Sequence, residues 1–288
     1  MPELPEVEHL RRTLVPHLVG AHVLAANLLR DDIAQSHGVK GVPLNRTTKP
    51  QLLQGHTITS LRRLGKQLAI LTDSGATMVV HLGMSGRLLV RDTTRDPPDH
   101  THATWRITGP TGAHALLFVD PRRFGGIWTY PSPDTLFRYR WNTLGPDALD
   151  IPEGTLAKRL AQSDRPIKAA LLDQGTIAGV GNIYADEALF RAKIHPLTRA
   201  RTISVTRVTT LAEALRAILG NAIEAGGSTL RDYVDAAGEP GRAQAAHAVY
   251  GREGLPCLAC GTPLQSDTIA QRTTVWCPAC QVPNPSRP

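Results

Sequence analysis

The chain has 288 residues, 41% of them hydrophobic, a formal net charge of +7 and a pI near 9.5, which suits two packed domains and a polyanionic partner such as nucleic acid. The 25 acids are mixed among the 32 bases and no basic tail exists, so any basic surface has to be assembled by folding. The opening MPELPEVEHLRR holds three glutamates and no apolar core, and no apolar run reaches a spanning length, so neither a secretory signal nor a membrane segment is expected.

In chain order, residues 5–18 read as a helix. Pro5 suits a first helical turn, and Val7, Leu10, Leu14 and Leu18 recur at helical spacing. Short strands are predicted next at 57–61, 67–72, 77–82, 87–91, 103–108 and 113–119, with 127–130 ending that domain. Turn formers such as Asp73-Ser74-Gly75 and Gly109-Pro110-Thr111-Gly112 separate them, a spacing that suggests an antiparallel sandwich or barrel. Residues 131–150 hold prolines and turn formers and read as a linker. Helical patterns follow at 155–162, 166–173, 183–192 and 205–225. Asn182 is expected to cap the third, with Asp186 and Glu187 near its positive end. The sequence has no internal repeat and no low-complexity segment.

All four cysteines lie in the last 32 residues, as Cys257-Leu-Ala-Cys260, sixteen intervening residues, and Cys277-Pro-Ala-Cys280. Each CxxC can bend two thiolates toward one metal. Two such pairs make a closed tetrahedral shell of four sulfurs, which suits one structural Zn2+ and leaves no open position for catalysis. So small a unit cannot bury a core of its own, and metal binding is what folds it. Two disulfides or a redox CxxC are the competing readings, and the double spacing fits metal better. Arg272 lies between the pairs, where a hairpin tip would let it enter a groove.

Met1 precedes Pro2, and methionine is commonly trimmed before a small residue, which would expose the Pro2 nitrogen as a secondary amine. An α-amino group titrates at about 7.7–8.0, far below a lysine, so part of it is neutral near pH 7 and can attack an electrophilic sugar carbon to form an imine. Glu3 stands beside it as a general acid or base. The plain alternative is an ordinary frayed terminus. With Met1 retained, the Pro2 nitrogen is an amide and this chemistry is blocked.

The segment Met1-Pro2-Glu3-Leu4-Pro5-Glu6-Val7-Glu8 resembles the N-terminal signature of the formamidopyrimidine-DNA glycosylase (Fpg, MutM) family. The resemblance covers almost the whole chain. It continues through Lys66, His81-Leu82-Gly83-Met84-Ser85-Gly86, Asp120-Pro121-Arg122-Arg123-Phe124-Gly125 and Gly179-Val180-Gly181-Asn182-Ile183-Tyr184, and ends with the four cysteines and Gln281. The related endonuclease VIII branch shares Pro-Glu and the helical DNA-binding unit, but PELPEVE looks more like the Fpg branch.

That resemblance implies an α+β fold: an antiparallel β-sandwich with a flanking helix at 1–133, a linker at 134–150, a helix-two-turn-helix domain at 151–242 and a four-cysteine zinc finger at 243–288. It implies a bifunctional glycosylase and lyase for 8-oxoguanine and ring-opened purines in duplex DNA, with no metal or organic cofactor in the chemistry. Pro2 would attack C1′ and Glu3 would move a proton at the sugar, after which the imine permits β- and δ-elimination. Lys66 matches the lysine at the lesion-flanking phosphate, and Glu6 a glutamate near the pocket that is equally a first-turn acid favoured by the helix dipole. Met84, Arg122 and Phe124 match the triad that fills the space left by the extruded nucleotide. His102, Lys168 and Asn182 match residues that face the DNA backbone, and Arg272 the finger arginine that grips it near the lesion. One departure stands out: the family's lesion-capping loop usually has an aromatic soon after Pro-Gly, whereas Pro240-Gly241 is followed by Arg242-Ala243-Gln244. The options are a disordered 236–244 loop or a different grip on the base, which bears on lesion preference more than on catalysis. Endonuclease VIII specificity for oxidised pyrimidines, and a non-catalytic zinc-dependent damage-binding protein, are the competing functions. A cytoplasmic, nucleoid-associated bacterial monomer is expected, since one active cleft needs no symmetry.

Overall fold

The computed structural model describes residues 1–36 and 51–283. It contains two compact units, Met1–Thr143 with Ile223–Arg242, and Leu144–Ala222 with Ala243–Pro288.

The first unit opens with helix α1 (Leu4–Leu18). Pro5 in its first turn forfeits no hydrogen bond, and Leu4, Val7, Leu10, Leu14 and Leu18 form its buried stripe. The strands are β1 (His22–Leu28), β2 (Ala34–Ser36), β3 (Ile58–Leu64), β4 (Gln67–Thr72), β5 (Thr77–His81), β6 (Arg87–Arg91), β7 (Thr101–Gly109), β8 (Gly112–Val119) and β9 (Gly126–Tyr130). They build two sheets, ordered β1-β7-β8-β6 and β2-β9-β5-β4-β3, with β2–β9 the parallel pairing. One continuous core holds Leu88, Trp105, Leu116 and Phe118 of the first sheet, Ile70, Met78, Val80 and Ile127 of the second, and Val7, Leu10, Leu14 and Leu18 of α1. The indole N–H of buried Trp105 donates to the Leu52 carbonyl at 2.8 Å, so its polar atom is satisfied.

Charge fastens α1 to this sandwich. The Glu8 carboxylate accepts from Arg11, Arg12 and Arg63, the last on β3. Burial alone would raise the Glu8 carboxyl, but the three guanidiniums hold it at about 2.

The short strand β2 lies outside the sequence reading, and other features depart from it. Strand β1 has no counterpart there, because its exposure pattern lacks clean alternation. The stretch read as a linker contains helix α2 (Pro133–Tyr139), whose start is capped by the Ser132 hydroxyl accepting from Thr135 N–H at 3.2 Å. Arg140 and Trp141 then donate to the Gln67 amide oxygen at 2.6 and 3.1 Å, and the Arg140 guanidinium lies 3.7 Å from the Trp128 ring centroid. Residues up to Thr143 therefore belong with the sandwich, as do Ile223–Arg242.

The second unit carries α3 (Thr155–Leu160), α4 (Ile167–Leu172), α5 (Asn182–Arg191), most of α6 (Val205–Glu224), and a hairpin of β10 (Gln265–Ile269) and β11 (Arg272–Trp276). Leu160, Ile167, Leu171, Val180, Tyr184, Leu189 and Leu215 are buried. The cysteine end has its own small cluster, with Val249, Cys257, Leu264, Val275 and Cys277 buried. Among the described residues no helix is long and apolar enough to cross a membrane.

Candidate active site and metal centre

Met1 is exposed, but the two residues that follow it are buried. Pro2 is buried and Glu3 is 2% exposed at the N-cap of α1, where the helix dipole favours a carboxylate. Glu6 holds them there. One of its carboxylate oxygens accepts from Glu3 N–H and the other from Ser228 N–H, both at 2.7 Å. Tyr233 donates its hydroxyl to the Glu6 carbonyl at 3.0 Å. Gly227 lets this approach happen, since a Cβ there would stand 2.9 Å from the Glu6 side chain.

The segment after Glu224 is itself tied down. Gly241 N–H donates to the Thr229 hydroxyl at 2.8 Å, and Arg242 N–H to the Ala225 carbonyl at 2.9 Å. A Cβ on Gly241 would stand 2.1 Å from the Gly227 carbonyl oxygen, so this crossing requires glycine. These contacts fall in the segment that departs from the family pattern after Gly241.

Lys66 is buried in the two-residue Gly65-Lys66 turn between β3 and β4. Arg63, held by Glu8, also donates to the Gly65 carbonyl at 3.1 Å, so α1 is linked to that turn. His81 ends β5. Burial, then the nearby Arg140 and Lys66 charges, pulls it down to about 4, which leaves a neutral ring at pH 7. Its Nδ1 accepts from Gly83 N–H at 3.3 Å, which places the proton on Nε2.

Met84 follows that turn and is half-buried, whereas Arg122 and Phe124 are exposed. Phe124 is 55% exposed, which excludes a core role, and the Arg122 guanidinium lies 4.9 Å from its ring centroid. His102 lies beneath the same loop. It is 7% exposed, and its Nε2–H donates to the Asp120 carbonyl at 2.8 Å, so it supports the turn that carries Arg122.

The second unit brings a different set together. Gly181, not Asn182, holds the N-cap position of α5. The Asn182 amide nitrogen instead donates to the Thr273 carbonyl at 2.9 Å, leaving its second hydrogen for another acceptor. Lys168 is fully buried in an ion pair with Asp186. Burial pushes the Asp186 carboxyl up to about 6 against the pull of Lys168. Asp186 also accepts from Val275 N–H on β11 at 3.2 Å. Glu187 accepts from the N–H groups of Ala248, Val249 and Tyr250, each at 2.9 Å. Both acids thus anchor the cysteine end to α5, a stronger role than the dipole one expected of them. Arg272 is exposed where β11 begins, next to a turn in which Ala270 and Gln271 both take positive φ.

Cys257, Cys260, Cys277 and Cys280 are free thiols whose Sγ atoms lie within 4.8 Å of one another, and they are the one such cluster among the described residues. Tetrahedral zinc with bonds of about 2.3 Å needs sulfurs about 3.8 Å apart, so the four fit one Zn2+. Gln281 locks the second knuckle, accepting from Cys277 N–H and donating to the Ile194 carbonyl, both at 2.9 Å.

Residues 1–127 match the family model described as the formamidopyrimidine-DNA glycosylase N-terminal domain, 144–234 its H2TH domain, and 254–282 the zinc finger found in FPG and IleRS. A formamidopyrimidine-DNA glycosylase of Xanthomonas campestris is 43% identical over 98% of this chain and 100% of its own length. The crystal structure of the MutM (FPG) protein from Thermus thermophilus superimposes with a TM-score of 0.83 at 40% identity, covering 99% of this chain and 100% of that one. A Lactococcus lactis FPG mutant in complex with a Fapy-dG containing DNA gives 0.86 at 31% identity, covering 98% and 100%. The chain belongs to the formamidopyrimidine-DNA glycosylase family, and its cysteine end is that family's zinc finger.

Sequence reasoning singles out Met84, Arg122 and Phe124 but passes over Ser85 and Asp120, which sit inside the same quoted motifs. The available signal is a serine and an acid at the turns that carry Met84, Arg122 and Phe124.

Proposed function

We propose that the protein excises 8-oxoguanine and formamidopyrimidines from duplex DNA and then cleaves the strand by β- and δ-elimination, with the Pro2 nitrogen as nucleophile once Met1 is removed. The observation that carries this reading is the buried, pinned terminus: Pro2 and Glu3 are held by Glu6 where an ordinary chain end would be free. Family membership supports it, and the Lactococcus lactis relative binds DNA carrying Fapy-dG.

In the proposed reaction the Pro2 lone pair attacks C1′ and the glycosidic electron pair leaves with the base; the C1′–O4′ bond then opens, Glu3 giving its proton to O4′, and the nitrogen lone pair forms the C1′ imine. The resulting imine acidifies C2′–H. Loss of that proton expels the 3′ phosphate, and a second elimination expels the 5′ phosphate. Lys66 would hold the lesion-flanking phosphate. Met84 and Phe124 would enter the vacated stack while Arg122 bonds the orphaned base. Asn182 and Arg272 would contact backbone phosphate, the first through its spare amide hydrogen and the N-terminus of α5. The zinc is structural, since its shell is closed. We read the protein as a monomer working on the nucleoid of a bacterial cytoplasm.

A panel of duplexes tests the substrate class. Excision should be faster on 8-oxoguanine and Fapy-dG than on thymine glycol under single-turnover conditions. A preference for thymine glycol would replace this assignment with that of endonuclease VIII.

A further inference from the structure

We propose that Ser85 is a positioning residue which, with the buried carboxylate of Asp120, fuses the Met84 loop and the Arg122–Phe124 loop into one rigid wedge. The inference rests on the reading above, in which these three side chains enter the duplex.

Topology sets the two loops side by side. Residues 82–86 cross from β5 to β6 and residues 120–125 from β8 to β9, while β5 pairs with β9 and β6 with β8. Ser85 is 1% exposed and Asp120 fully buried. The Ser85 hydroxyl donates to one Asp120 carboxylate oxygen at 2.6 Å and accepts from Arg122 N–H at 3.1 Å. The other carboxylate oxygen accepts from Gly125 N–H at 2.8 Å. The Asp120 carbonyl takes Arg123 N–H at 3.2 Å, alongside His102. The loops also touch where no side chain fits. A Cβ on Gly83 would stand 2.2 Å from the Phe124 carbonyl carbon, and one on Gly125 2.6 Å from the His81 carbonyl oxygen.

The physical need is plain. Arg122 and Phe124 project into solvent, so no core packing fixes them, yet a wedge must resist the tendency of the stack to close. Stiffness then has to come from the backbone beneath. There the Ser85 side chain, rooted in one loop, bonds both the carboxylate and the backbone of the other.

The test uses the full-length zinc-loaded protein. Ser85→Ala should leave borohydride trapping on a single-stranded abasic oligonucleotide unchanged, since that substrate has no partner strand to wedge. It should lower single-turnover excision of 8-oxoguanine from duplex about tenfold, the scale of one buried hydrogen bond lost. In an Arg122→Ala background its further loss should be well below tenfold, because part of its effect runs through Arg122. If the alanine variant melts, Ser85→Cys, which keeps the volume but bonds weakly, takes its place. Parental duplex excision by the Ser85 variant beside an impaired Arg122→Ala, losses that multiply in the double variant, or equal loss on single strand and duplex would each overturn the clamp. If Arg122→Ala itself leaves duplex excision unchanged, the role given to Arg122 fails, and the clamp with it.

Discussion

Glu6 places both carboxylate oxygens on backbone N–H groups, one at the helix start and one at Ser228, so a single side chain fixes where the first residues lie. In the sequence it reads equally as a first-turn acid, and its second partner is 222 positions away, beyond any local pattern. Lys168 is hidden for a related reason. A lysine in a helical pattern reads as a surface cation until burial and the Asp186 carboxylate are seen. The two roles make different predictions for Lys168→Met. Removing one partner of a buried pair leaves the other uncompensated, so stability should fall by about 3–5 kcal/mol in denaturant melts. A phosphate-contact lysine would instead lower the slope of log K against log salt by about 0.9. We expect lost stability and an unchanged slope in titrations of folded variant. A reduced slope with parental stability would assign it the phosphate role instead.

At the level of elements, short apolar runs between turn formers are legible as strands, and β4 and β6 fall where the pattern puts them. Strand β1 is not, because its register against β7 is broken by a bulge and its exposure does not alternate. Helix α2 is hidden by the prolines around it, although Ser132 followed by Pro133 is a start signal. Helix α1 is legible from its stripe, but not its attachment through Glu8 to Arg63. That attachment has a pH signature. The folded Glu8 carboxyl titrates at about 2, below its ordinary 4.5, so its stabilisation is complete above pH 4.5 and is lost as pH falls toward 2. Glu8→Gln should cost about 3 kcal/mol at pH 7 and much less near pH 2. Melts at the two pH values measure this, and a penalty that does not shrink in acid would show that packing, not charge, holds α1.

Across the whole molecule, the double CxxC spacing marks the metal centre, and the quoted motifs mark the family. What no motif reveals is that Ile223–Arg242 belong with the sandwich unit, since that depends on Glu6, Arg12 and Thr13 receiving them. The cysteine end has few buried side chains of its own, so metal should be what keeps it folded. Chelation should abolish amide-exchange protection across 254–282 and leave β4 and β5 protected. Protection retained in the finger without metal would contradict this. The central claim is that the Pro2 nitrogen carries the reaction. Borohydride reduction during turnover of an 8-oxoguanine duplex, followed by mass spectrometry of the digested adduct, tests it most directly. The account predicts a chain that begins at Pro2, with the sugar remnant bonded to that nitrogen. A remnant on a lysine, or efficient strand cleavage by protein that still carries Met1, would contradict it.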